Sequence, residues 1–136
     1  MEKSLVIAVD FDGTIAEHRF PEIGPWVPGA KEWLLRFQEL GAKLLLWTMR
    51  SSTDGNGDVL NQAVEFCREH GVEFAGHNVN PEQDWSSSPK AYAHVYIDDA
   101  AFGCPLVFPG KERPYVDWSV VGPGVEELIL AYSKRW

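Results

Sequence analysis

Basic residues are in short supply. Twelve Lys and Arg stand against twenty Asp and Glu, a formal net charge of −8 over 136 residues. Nonspecific nucleic-acid binding works through Lys and Arg contacts to phosphate, so this balance argues against a polyanionic partner. It leaves room for a small phosphorylated ligand, because a bound cation inverts the local field. Cysteine is nearly absent: Cys67 and Cys104 have neither CxxC nor metal-ligand spacing. Free thiols in a reducing cytoplasm are expected rather than a disulfide. No apolar run is long enough to cross a bilayer. Between Met1-Glu2-Lys3-Ser4 and Asp10 lie only five apolar residues, Leu5 to Val9, so neither a signal peptide nor a membrane span is expected. Internal repeats, low-complexity tracts and long insertions are missing too, and the length predicts a single domain over 1–136.

What is present is an apolar fraction of 45% and six tryptophans, enough to bury a real core. The key stretch is Val6-Ile7-Ala8-Val9-Asp10-Phe11-Asp12-Gly13-Thr14. An apolar run without alternation reads as a strand buried on both faces, with helices covering the sheet on either side. It ends in two carboxylates, at the strand end where open α/β folds bind ligands. Residues two apart in an extended segment point the same way. Like charges that close call for a cation or a proton between them, and a hard divalent cation with oxygen ligands fits best. Gly13 permits a turn with φ > 0 and leaves amide groups free to face an anion.

Downstream, Ile15 to Pro28 is a loop by its Pro and Gly content and carries Glu17, His18 and Arg19 just past the acids. Gly29 to Leu40 reads as a helix with Trp33, Leu34, Phe37 and Leu40 on one stripe, stopped by Gly41. Lys43 to Trp47 reads as a second buried strand ending in Thr48-Met49-Arg50, and Ser51 to Gly57 as a flexible loop. Asp58 is the expected N-cap of a second helix, Val59 to His70, and Val72 to Ala75 a short third strand. A polar connection, 76–88, contains His77, Asn78 and Trp85. Ala93 to Ile97 then reads as a fourth strand, ending in Asp98-Asp99. Neighbouring strands lie about 4.8 Å apart, so pairing of the first and fourth strands brings both acid pairs together. Such an acidic cradle points to Mg²⁺. A short fifth strand is expected within 104–110, a loop at Asp117-Trp118, and a terminal helix from Gly124 to Trp136.

The first stretch resembles motif one of the haloacid dehalogenase (HAD) superfamily of phosphotransferases, Asp-x-Asp-Gly-Thr after an apolar strand. Thr48 at a strand tip is similar to motif two, Lys90 to motif three, and Asp98-Asp99 to motif four, in family order over nearly the whole chain. The resemblance implies a three-layer, Rossmann-like, doubly wound parallel sheet in the order 3-2-1-4-5, agreeing with right-handed βαβ crossovers. With no insertion for a cap, the chain looks like a minimal, capless member.

The resemblance also implies roles. Asp10 attacks phosphorus and forms an aspartyl-phosphate; Asp12 protonates the leaving oxygen and then deprotonates water. Thr48 and Lys90 hold the transferred group, with backbone amides near Phe11 and Asp12. Mg²⁺ is held by Asp10, the backbone carbonyl of Asp12, and Asp98, with Asp99 as a water-mediated ligand or an orienter of Lys90. Phe11, Gly13, Thr14, His18, Arg19, Met49 and Arg50 form the expected substrate-binding set; for His18, Arg19 and Arg50 a purely structural role stays open. An acid at position 12 favours phosphomonoester hydrolysis of a small phosphorylated substrate. Two alternatives remain: a polynucleotide end phosphatase, and a non-enzymatic phosphoacceptor domain like a response-regulator receiver. Substrate identity and oligomeric state are open.

Overall fold

The computed structural model describes residues 4–134. Four short strands, β1 (Val6–Val9), β2 (Lys43–Leu46), β3 (Gly76–His77) and β4 (Val95–Ile97), form a parallel sheet in the order β3-β2-β1-β4. Val9 stands beside Leu46 on one side and Ile97 on the other. The carboxyl ends of the three longer strands therefore finish along one edge. Chain order reverses between β1 and β4, the kind of position where open α/β sheets form a ligand crevice.

Helices α1 (Ala30–Glu39) and α2 (Val59–Arg68) link β1 to β2 and β2 to β3. Each buries one stripe: Ala30, Leu34 and Phe37 on α1, and Val59, Ala63, Val64 and Cys67 on α2. Burial pushes the Cys67 thiol up to about 12, so it packs as a small apolar group. Asp58 makes no capping hydrogen bond to α2; its Oδ1 accepts from Asn61 instead, and the Leu60 amide donates to Ser52 Oγ at 3.2 Å. The third strand lies later than expected, at Gly76–His77 rather than Val72 to Ala75. Pairing to β2 begins only where the Ala75 amide reaches the Leu44 carbonyl.

The two faces of the sheet are covered differently, which corrects the three-layer expectation. Ile7, Val9, Leu44, Leu46 and Ile97 join the buried stripes of all the helices in one large cluster. The opposite face, Val6, Ala8 and Leu45, is equally buried but meets only Ala91, Ala93 and Trp47. The connection from β3 to β4 supplies that cover and forms no helix among the described residues. The apolar runs reported burial on both faces correctly for β1 and β2 but not for β4, where Tyr96 is exposed; they carry no signal for what does the burying.

The fifth strand is a second correction. Leu106–Val107 (β5) pairs antiparallel with Tyr115–Val116 (β6) in a separate two-stranded sheet, not at the edge beyond β4. The third is the last helix. It starts at Trp118, not Gly124, and runs to Ser133 (α3); Arg135 and Trp136 of the expected helix lie outside the described residues. Asp117, read as loop, is its N-cap, with Oδ1 accepting from the Ser119 amide at 3.1 Å. Gly122-Pro123-Gly124 suggests a break but serves packing: any Cβ on Gly122 would enter the Trp33 ring on α1. No helix among the described residues is long and apolar enough to cross a membrane, and both cysteines are free.

Phe37 anchors the helical layer, fully buried, with its ring 6.1 Å from Trp33 and 6.2 Å from Trp118. Phe37→Ala is expected to cost about 3–5 kcal/mol in urea unfolding. Leu130→Ala on α3, 42% exposed, is expected to change stability by no more than about 0.5 kcal/mol. Equal costs at the two positions would contradict this packing.

Candidate functional site

Immediately after β1 the backbone winds around one carbonyl. The Phe11 oxygen accepts from the amides of Thr14, Ile15 and Ala16 at 2.8–3.1 Å. Gly13 sits in the turn with φ +86°, and a Cβ there would collide with the His18 ring and the Asp99 carboxylate. Glycine is thus required twice, for conformation and for space. The Thr14 side chain is fully buried. Its hydroxyl donates to Asp10 Oδ2 and accepts the Asp99 amide, both at 3.1 Å, tying the two strand ends together. Trp118 braces the turn from below: its Nε1 donates to the Thr14 carbonyl at 2.8 Å.

Asp10, Asp98 and Asp99 converge at the ends of β1 and β4. One carboxylate oxygen from each lies within 4.8 Å of the others. Burial first, then the Asp98 charge and the hydrogen bond and charge of Asp99, push the Asp10 carboxyl up to about 8. Burial likewise raises Asp98, against the Ala100 amide that donates to it at 2.8 Å and with the Asp99 charge adding to the rise. His18 Nε2 lies 3.0 Å from Asp99 Oδ2. Three carboxylate oxygens this close, from residues that are each half-buried, are a group that could hold a metal ion, and oxygen ligands of this kind suit a hard divalent cation.

Asp12 does not join them. Its two carboxylate oxygens face Arg50, which donates through Nε at 2.8 Å and Nη2 at 2.9 Å. Arg50 is 1% exposed. Its remaining N–H groups go to the carbonyls of Pro21, Val59 and Glu22, and its guanidinium stands between the Phe11 and Phe20 rings at 4.9 and 5.1 Å. All five donors are thus in use. Arg50 orients Asp12 and fastens the 20–22 loop to the start of α2, and it also lines the larger cavity beside Asp10 and Asp12.

Across from Asp10, Thr48 is fixed by Asn78. The Thr48 amide donates to Asn78 Oδ1 at 2.7 Å, and Thr48 Oγ1 accepts the Arg50 amide. Asn78 holds φ at +59°, which asparagine tolerates better than most residues. Two cavities meet over Asp10, Thr48, Met49 and Asp98. One, of about 360 Å³, extends to Trp47, Asn78 and Pro89. The other, of about 470 Å³, extends to Asp12, His18, Phe20, Arg113 and Ala100.

The structure therefore gathers Asp10, Thr48, Asp98, Asp99 and His18, with Gly13 and Thr14 beneath them and Met49, 94% exposed, on the rim. Phe11 turns its ring into the core, leaving only its backbone near the site. Two residues are placed elsewhere. Arg19 bonds the His18 carbonyl and faces Glu17 and Glu112. Lys90 lies outside both cavities: its ammonium stands 5.1 Å over the Tyr96 ring, in a separate cleft with Trp85 and Tyr92. The register of one lysine in an irregular segment is not encoded by its distance from Asp98. Arg113, Phe20 and Asn78, with Trp47, Pro89 and Ala100, line the site without having been singled out from the sequence. Arg113 sits in the β5–β6 turn, whose position depends on the unexpected hairpin.

Arg50→Ala would leave the Asp12 charge and three carbonyls without their buried partner. A loss of about 3–5 kcal/mol in unfolding free energy is expected, and Arg50→Lys is expected to recover only part of it, since an ammonium lacks the fork. A surface-like loss below about 1 kcal/mol would contradict the hub. A second expectation follows from Asp10. Its carboxyl rises from 3.8 unfolded to about 8 folded, so the folded state keeps a proton that the unfolded chain has lost between those values. Stability in chelator should fall as pH rises from about 4 to about 8 and then level off. Asp10→Asn should flatten that fall, as read by chemical unfolding; a rise across the window would refute it.

No family profile and no curated protein matches the chain. Among solved structures it is similar to the conserved protein coded by a locus of Bacteroides thetaiotaomicron, with 37% identity over 92% of each chain and a TM-score of 0.73. With that identity sustained across nearly both full lengths, the chain belongs to the same family as this Bacteroides protein.

Proposed function

We propose that the protein is a Mg²⁺-dependent phosphomonoester hydrolase of the HAD type. The observation that carries this reading is the meeting of Asp10 with Asp98 and Asp99 at adjacent strand ends, in an order of motifs that resembles that superfamily. The carboxylates of Asp10, Asp98 and Asp99 and the backbone carbonyl of Asp12 would hold the ion. When bound, it supplies positive charge that lets the carboxylates stay ionised together and offsets charge on the phosphoryl oxygens.

The chain's own groups do the rest. Asp10 attacks phosphorus in line; an Asp10 Oδ–P bond forms as the bond to the leaving oxygen breaks. In the general-acid role that the resemblance implies, Asp12 would enter the step as the carboxylic acid, give its proton to that oxygen, and recover one from the water that cleaves the aspartyl-phosphate. The Thr48 hydroxyl faces the transferred group from the opposite wall. Lys90, placed over Tyr96, has no part in this arrangement. No carboxylate follows β3, where Gly76–His77 leads into Asn78, and this favours the enzyme over a receiver-like phosphoacceptor. Free thiols suit a cytoplasmic setting.

Asp10→Asn is expected to lower turnover of p-nitrophenyl phosphate by at least about a thousandfold with the circular-dichroism spectrum unchanged. Chelation should abolish wild-type turnover. Mg²⁺ should raise the melting temperature, more at the alkaline than at the acidic end of the Asp10 window, because the ion competes with the proton. Turnover indifferent to both the substitution and chelation would reject the assignment.

A further inference from the structure

The two cavities divide the work at Asp10. Only Asp10, Thr48, Met49 and Asp98 border both, so the reacting phosphoryl group belongs at that junction. Asp12 borders the larger cavity alone. A group that protonates the leaving oxygen must reach it, so the leaving group extends into the larger cavity. Its volume of about 470 Å³ lies in the range that encloses small molecules.

Two features of that cavity have no role in the chemistry above. Phe20 is 49% exposed, yet its ring is held over the Arg50 guanidinium. It is a preset aromatic surface whose ordering cost is already met within the fold. Arg113 lines the same cavity and makes no ion pair among the described residues. It is absent from the junction, which separates it from the reacting phosphoryl group. In a chain of net charge −8, an unpaired arginine beside four carboxylates is placed for an anion that arrives from outside.

We propose that Phe20 and Arg113 read the leaving group, and that the substrate is a small phosphate monoester whose alcohol part carries a flat ring and a second anionic group. This rests on the phosphatase reading but extends it to substrate class. The ring packs on Phe20, and the distal anion takes the Arg113 fork.

The test uses Mg²⁺-loaded protein with three esters: 4-carboxyphenyl phosphate, phenyl phosphate and n-butyl phosphate. Comparing variant with wild type on each ester cancels intrinsic reactivity. Arg113→Gln is expected to lower kcat/KM for 4-carboxyphenyl phosphate about tenfold more than for phenyl phosphate, the size of one charge-assisted hydrogen bond. Phe20→Leu, which keeps apolar bulk over Arg50, is expected to lower kcat/KM about fivefold more for the two aryl esters than for n-butyl phosphate. Equal losses on all three esters, or none, would overturn the assignment while leaving the phosphatase intact.

A binding arm separates the two readings. Calorimetry with 4-carboxybenzylphosphonate and benzylphosphonate should show a preference for the carboxylated compound that Arg113→Gln removes. That result without hydrolysis of any ester would sink the phosphatase and keep the pocket assignment. Absence of both hydrolysis and preferential binding would end both.

Discussion

The Asp10 amide donates to the Ile97 carbonyl at 2.9 Å. That single ladder bond carries the pairing of β1 and β4 past their last strand residues and sets both acidic ends side by side. Asp98 and Asp99 reach Asp10 only because the strands finish level, Val9 against Ile97. Thr14 then adds a second tie between the same ends. The resulting cluster is unfavourable by itself: carboxylates withdrawn from water and held in one another's company do not ionise freely. A fold that holds them together with backbone bonds and a buried threonine has given up stability at neutral pH for a place where positive charge is attracted.

A second constraint works at longer range. Arg50 touches β1's following turn, the 20–22 loop and the start of α2 together, and it does so with every donor occupied. Its two aromatic neighbours keep water from competing for those bonds. Asp12 gains a fixed orientation in return. Rigidity is thus concentrated on one wall of the site, while Met49 and Arg113 on the rim stay open to solvent.

The parts legible in the sequence were those written in short-range patterns. β1, β2 and β4 announce themselves as apolar runs, α1 and α2 as stripes, and Asp10, Asp98 and Asp99 as acids at strand ends. Their convergence needs only parallel pairing. What was not legible depends on tertiary context. The β5–β6 hairpin is two residues per strand, too short for any period to appear, and it carries Arg113 to the site. For Arg50 the sequence leaves substrate contact and a structural ion pair both open, because the carbonyls that take its donors are brought to it only by the fold. Lys90 matched a motif by order and spacing, yet an irregular segment turned it onto Tyr96. Asp117, read as loop, is the cap of α3, and the terminal helix expected from Gly124 begins six residues earlier, at Trp118.

The sheet face without a helix has an outcome of its own. Its cover is held by side chains bonded to backbone: Asn80 to the Tyr92 carbonyl, Gln83 to Lys90 and Tyr92, and the Tyr96 hydroxyl to Ala91. Pro89 in that segment walls the smaller cavity beside Asp10. One face of the sheet is therefore held by interlocked helical stripes and the other by single side-chain bonds to backbone.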